Sequence, residues 1–138
     1  MSNLRRDLMF QVFLHVNREL TDFQRAMLKK IVGPDATPET IRDAVVRIGQ
    51  QIKLLSDAGW KPNREPGDQV LKPNHYDRLP MEPTYFLVES GGYHWCIENA
   101  FKYLCRFPWK NGIEDLGKSS RNLLMYQAYV AGDPSWSR

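Results

Sequence analysis

The sequence predicts a mainly α-helical protein, in which N-terminal helices are followed by a proline-rich arm and a C-terminal αα-hairpin domain. Three observations predict it. Apolar residues recur at three- and four-residue steps over most of the chain. Helix start and stop signals fall between those runs. No stretch alternates apolar and polar residues with the two-residue period of a strand.

The first helix is expected over residues 3–18, with Leu4, Leu8, Val12, Val16 and Leu20 as its apolar seam and Arg5, Arg6, Asn17 and Arg18 as polar positions. The second is expected over Asp22–Val32, with Phe23, Met27 and Ile31 as its apolar edge. Gly33-Pro34 ends it, because glycine suits a C-cap and proline cannot continue a helix. Thr37-Pro38-Glu39 opens the third: threonine caps free backbone N–H groups, proline fits the first turn, and glutamate favours the positive helix end. Its seam is Ile41, Val45, Ile48, Ile52 and Leu55, a heptad-like stripe. The stripe lasts only two heptads, which favours packing within the chain over a self-associating coiled coil. Gly59 reads as the stop.

Lys61-Pro62, Glu65-Pro66-Gly67 and Lys72-Pro73 are poor material for helix or strand. They divide the chain into a helical segment at 1–62, an arm at 63–74, a helical domain at 75–131 and a loose tail at 132–138, where only Trp136 is expected to dock. Within 75–131, a short helix is expected from Glu82 or Thr84 through Val88, broken by Gly91-Gly92. A helix over Tyr93–Phe107 follows, with Ile97, Phe101 and Leu104 as its apolar edge, then a loop over Pro108–Ile113. The last helix, from Glu114 to about Val130, is expected to bury Leu116, Leu123, Leu124 and Val130. His15 and His94 read as structural, and Phe101, Tyr103, Tyr126 and Tyr129 as core.

Composition narrows the function. A hydrophobic content of 42% with 25% charged residues fits an ordinary globular chain. A net charge of +3 suits an anionic ligand but is too small to argue for nucleic acid. Cys96 and Cys105 stand about 13 Å apart along one helix, too far for a bridge, and read as buried thiols. No Cys/His metal-ligand spacing occurs. Met1 to Arg6 leads into a charged amphipathic pattern and not a signal peptide, and no apolar run approaches membrane-spanning length. These features predict a cytoplasmic protein with neither a membrane nor a nucleic-acid partner.

The chemistry concentrates between His94 and Leu124. Asn99, Lys102 and Arg106 fall on one stripe of the first hairpin helix, and Asp115, Lys118 and Asn122 repeat those offsets on the second. A hairpin that turns the stripes toward each other makes a polar seam, with Lys110 as a further cation in the loop. The bland alternative is a solvated face on which Lys102 and Arg106 pair with Glu98 and Asp115. Glu114 and Asp115 also suit the first turn of a helix on dipole grounds alone.

His75-Tyr76, Glu82-Pro83, Asn99-x-x-Lys102-Tyr103-x-x-Arg106 and Lys110-x-Gly112-x-Glu114-Asp115-Leu116-x-Lys118 occur in that order. Together they resemble the phage-encoded nucleotide kinase domain family that works without a P-loop. The resemblance covers about residues 70–130 and leaves 1–62 without a counterpart. It implies phosphoryl transfer from a nucleoside triphosphate to a deoxynucleoside monophosphate. His75, Lys102, Arg106 and Asp115 take the catalytic roles it implies, and Tyr76, Asn99, Lys110, Glu114 and Lys118 the substrate-binding ones. The residue types suit that chemistry. Arginine offers a bidentate fork, lysine a mobile point charge, and phosphoryl transfer depends on neutralising spread charge. Tyr76 or Trp95 offers a ring for a base to stack on. No G-x-x-x-x-G-K-[ST] loop is present. Glu98 stands where the family usually has glycine, a carboxylate four residues before Lys102.

The cofactor implied is the triphosphate donor; Mg²⁺ is compatible but not called for, and no resident metal site is expected. One hairpin rarely encloses two nucleotides, so a homo-oligomer with a shared site is expected. Two alternatives compete. A MazG-like nucleoside triphosphate pyrophosphohydrolase needs several carboxylates around Mg²⁺, whereas cations outnumber carboxylates along this seam. A non-catalytic phage protein would bind nucleotides, or a host protein through residues 3–57.

Overall fold

The computed structural model of the protein describes residues 3–63 and 79–138. Six helices occur among them: α1 (Leu4–Val16), α2 (Asp22–Val32), α3 (Pro38–Asp57), α4 (Pro83–Ser90), α5 (Trp95–Arg106) and α6 (Ile113–Val130). No strand occurs among the described residues, so the fold is mainly α. No helix among them is long and apolar enough to cross a membrane.

Local signals set most helix boundaries. Thr21 and Thr37 each accept from the backbone N–H three residues on, while Gln24 and Thr40 reach back to complete two capping boxes. Gly33 ends α2 with φ −66°, so the left-handed backbone usual for a C-cap glycine is not why it is needed. Space is the reason: a Cβ there would stand 2.5 Å from the Lys29 carbonyl oxygen. Gly33→Ala should therefore cost about 2 kcal/mol of stability through forced backbone movement. Urea unfolding checks this, and an unchanged midpoint would contradict it.

The α5–α6 hairpin lies at the centre of the packing. α3 lies on α6, α2 touches both α3 and α5, and α4 touches both α1 and α5. A single core cluster joins Phe13, Met27, Leu28 and Ile48 from the first half to Phe86, Phe101, Leu104, Leu116 and Leu123 from the second. The described residues before and after the proline-rich stretch therefore share one core. Most of that arm lies outside the described residues, but at its start the Asn63 N–H donates to the Pro108 carbonyl at 2.7 Å.

The centre of the core is aromatic. The rings of Phe13, Phe86 and Phe101 stand 5.0 to 5.1 Å apart in all three pairs, bringing together α1, α4 and α5. This corrects the seam expected for α1. Phe10 and Phe13 are buried, whereas Leu4, Leu8 and Val12 are 65%, 51% and 46% exposed. Apolar residues surround this helix, so periodicity favours no face. The facing phenylalanines select one, because burying a ring gains more than burying a leucine.

Two polar residues, Asn17 and Gln24, are fully buried. The Asn17 side chain donates to the Met81 carbonyl and accepts from the Met81 N–H, both at 2.9 Å. Gln24 donates to the carbonyls of Leu104 and Cys105 at 2.8 and 3.1 Å, satisfying groups that the end of α5 leaves open. Arg25 does the same for α1, donating to Leu14 and Asn17 at 2.8 Å each.

In α3, Ile41 and Ile48 are buried with Ala44, and Val45, Ile52 and Leu55 pack against the core in part, so the stripe packs within the chain as expected. In α6, Leu116 and Leu123 are buried, but Leu124 and Val130 are more than half exposed, contrary to expectation. Tyr129, expected in the core, is also exposed. The tail is tied down by Trp136, whose ring lies 5.5 Å from His94 and 5.4 Å from Tyr129. Cys96 and Cys105 are free and buried, and burial raises both thiols, Cys105 far above the usual thiol range.

Candidate functional site

The two stripes do face each other. His94 starts α5, its Nδ1 accepting from the Cys96 N–H at 3.0 Å. Ile97, Ala100, Phe101 and Leu104 then bury one side of the helix, leaving Asn99, Lys102, Tyr103 and Arg106 on the other. Gly112 turns the chain into α6 with φ +59°, a left-handed conformation, and a Cβ there would press on Pro62 and Trp60 at 3.0 and 3.1 Å. Across the seam, Asn99 Nδ2 donates to the side-chain Oδ1 of Asn122 at 3.4 Å, and Arg106 Nη2 donates to Asp115 Oδ1 at 3.3 Å.

Asn99, Lys102, Tyr103 and Arg106 open onto a cavity of about 130 Å³, closed on its other side by Glu82, Pro83 and Thr84. Lys102 is exposed and makes no ion pair among the described residues. Glu98, one turn before it, does not pair with it among the described residues, whereas Arg106 does pair with Asp115, as the solvated-face alternative expects. Arg106 carries its guanidinium 4.7 Å from the Tyr103 ring centre, and its Nε is buried without a hydrogen-bond partner among the described residues. A buried donor left open is costly unless something accepts from it, and a bound anion would.

The acids differ from their expected roles. Asp115 is fully buried and accepts from Arg106 and from the Asn111 N–H at 3.2 Å. It therefore positions the arginine and the loop without touching a ligand in this arrangement. Glu114 is exposed and pairs with Lys118 at 3.1 Å, one turn along α6. Lys118 also stands 5.6 Å from the Tyr103 ring centre, so its charge is partly spoken for. The Lys110 N–H donates to the Arg106 carbonyl at 3.1 Å and holds the loop. His75 and Tyr76 lie outside the described residues.

Tyr103 and the Glu82–Thr84 segment were not expected as site residues. Tyr103 was readable: it falls four residues after Asn99 and three before Arg106, on the same stripe. For the Glu82–Thr84 segment the one signal was Glu82-Pro83 among the motifs of the resemblance, and the packing of α4 on α5 brings it to the cavity. Among the described residues no three His, Cys, Asp or Glu side chains gather as metal ligands.

A family model described as a protein of unknown function, DUF3310, matches residues 70–124. This span is under half of the chain. It takes in α4, α5 and the first part of α6, and so the Asn99–Asn122 seam. No curated protein and no solved structure matches the chain.

Proposed function

We propose that the protein is a P-loop-free nucleotide kinase that passes a phosphoryl group from a nucleoside triphosphate to a deoxynucleoside monophosphate at the α5–α6 seam. The observation that carries this reading is one cavity lined by Lys102, unpaired among the described residues, and by Arg106, with its unsatisfied buried donor. Such cations neutralise the charge spread over a transferring phosphoryl group. The burial of Asp115 is compatible with the chemistry, because a nucleoside monophosphate has a second pKa near 6 and is its own deprotonated nucleophile near pH 7. No general base is required of the protein.

The cavity has room for a phosphate and little more: at roughly 30 Å³ of liquid per water, 130 Å³ corresponds to about four waters. The base must therefore lie outside it. Trp95 is 60% exposed and stands one turn before Asn99 on the same stripe, about 10 Å along the axis from Lys102. Its ring offers the base a stacking surface. A second nucleotide needs further surface, so the active form is a homo-oligomer with a shared site. On this reading the protein acts in the cytoplasm of a phage-infected cell.

The test is a screen of each deoxynucleoside monophosphate against several triphosphate donors, with and without Mg²⁺. Diphosphate product supports the kinase. Monophosphate and pyrophosphate released from a triphosphate would point to the pyrophosphohydrolase instead, and no turnover under any condition would sink both. Lys102→Met should lower kcat/KM by about 100-fold or more through lost charge stabilisation. Its melting temperature should not change, because Lys102 is exposed and unpaired among the described residues.

A second reading, a binding protein without turnover, is favoured by one feature. Leu4, Leu8 and Val12 of α1 and Tyr85 and Val88 of α4 are all exposed on two helices that pack together. Exposed apolar side chains on adjoining helices suit a protein partner.

A further inference from the structure

A larger cavity than the one at the seam lies elsewhere among the described residues. A cleft of about 840 Å³ opens where α1, α3 and α5 begin, beside the ends of α2 and α6. Its size falls in the range of small-molecule sites, and the seam cavity's does not. The buried side chains of Ile31, Ile41 and Ile97 contribute to its apolar lining. Arg6 and Arg42 supply two cations, and Asp7 is the one acid in the lining. Neither arginine forms an ion pair among the described residues. Arg6 is held in place: its guanidinium lies 4.7 Å from the Tyr93 ring centre, with Gly92 close against it, and its Nε is buried without a partner among the described residues.

Helix direction adds to the charge. Asn3, Thr37 and His94 are the N-caps of α1, α3 and α5, and all three line the cleft. Three positive helix ends therefore meet there against the two negative ends of α2 and α6. From His94 to Lys102 is about 12 Å along α5, so the cleft is separate from the seam cavity.

We infer that this cleft is a second ligand site, for a small organic anion with an apolar body. The anionic group pairs with Arg42 and satisfies the open donor of Arg6. The body lies on the isoleucines, and Asp7 accepts from a hydroxyl or amine on the ligand. The inference does not depend on phosphoryl transfer at the seam.

The test titrates the full-length protein with 8-anilinonaphthalene-1-sulfonate, a sulfonate joined to flat rings. Saturable one-site fluorescence enhancement is expected. Arg42→Gln and Arg6→Gln should each weaken it about tenfold, the loss of one charge-assisted contact. Ala36→Trp, which fills the cleft, should abolish it, while Lys102→Met leaves it unchanged. Thermal melts establish that each variant is folded. Arg42 is exposed, so Arg42→Gln remains informative if Arg6→Gln unfolds. Displacement of the dye by deoxynucleoside monophosphates identifies a phosphate ligand, and displacement by indole-3-acetate a carboxylate one. No saturable binding, displacement by neither, or affinity unaffected by Arg42→Gln and Ala36→Trp would overturn the site.

Discussion

Arg106→Ala is expected to abolish phosphoryl transfer and, unlike Lys102→Met, to destabilise the protein. Arg106 lines the cavity, but it is also the charged partner of Asp115, which has no exposed surface. Removing the arginine leaves that carboxylate with the Asn111 N–H as its remaining donor within the hairpin loop. Stranding a buried charge in this way should cost about 2–3 kcal/mol, at the lower end for such pairs because Arg106 keeps some exposure. The melting temperature should fall by roughly 10 °C. Activity should fall with it, by about 100-fold or more when assayed well below the melting point. Differential scanning calorimetry beside the kinase assay separates the two effects. Full activity in the variant would remove Arg106 from the site, and an unchanged melting temperature would show that Asp115 finds another partner.

Gln24→Ala should be strongly destabilising although it lies away from the seam and removes no apolar core side chain, at about 3 kcal/mol. Gln24 is fully buried and serves two helices at once. Its carbonyl oxygen accepts from the Thr21 N–H at 2.8 Å, closing the capping box of α2. Its amide donates to the carbonyls of Leu104 and Cys105 in the last turn of α5. Alanine removes this half of the capping box and leaves both carbonyls buried without that donor. Guanidinium unfolding checks this: a midpoint shift below a third of the expected size would mean that water enters and replaces the amide. Gln24→Glu should be nearly as harmful, since a carboxylate restores the cap but cannot donate to carbonyls.

The sequence alone determined the elements whose signals are local. Thr37, Gly33-Pro34 and the Gly91-Gly92 pair mark helix ends by chemistry that acts within one turn, and the structure places helix ends at each. The seam was legible for the same reason. Offsets of three, four and seven put Asn99, Lys102 and Arg106 on one stripe whatever packs behind them. A short loop then leaves the next helix little choice but to run back alongside.

What tertiary structure decided depends on partners far away in the chain. Leu4, Leu8 and Val12 make a regular stripe, but Phe10 and Phe13 are buried because Phe86 and Phe101 meet α1 from the second half. Asn17 and Gln24 look like surface residues until Met81, Leu104 and Cys105 bring buried backbone groups to them. Asp115 has a catalytic role only through the resemblance, and the packing buries it completely against Arg106. The cleft joining the starts of α1, α3 and α5 could not be read at all, since its arginines stand thirty-six residues apart with no pattern linking them. Periodicity and capping belong to single helices. Burial, charge pairing and cavities belong to the way helices meet, and in this chain long-range contacts settle which face of each helix does what.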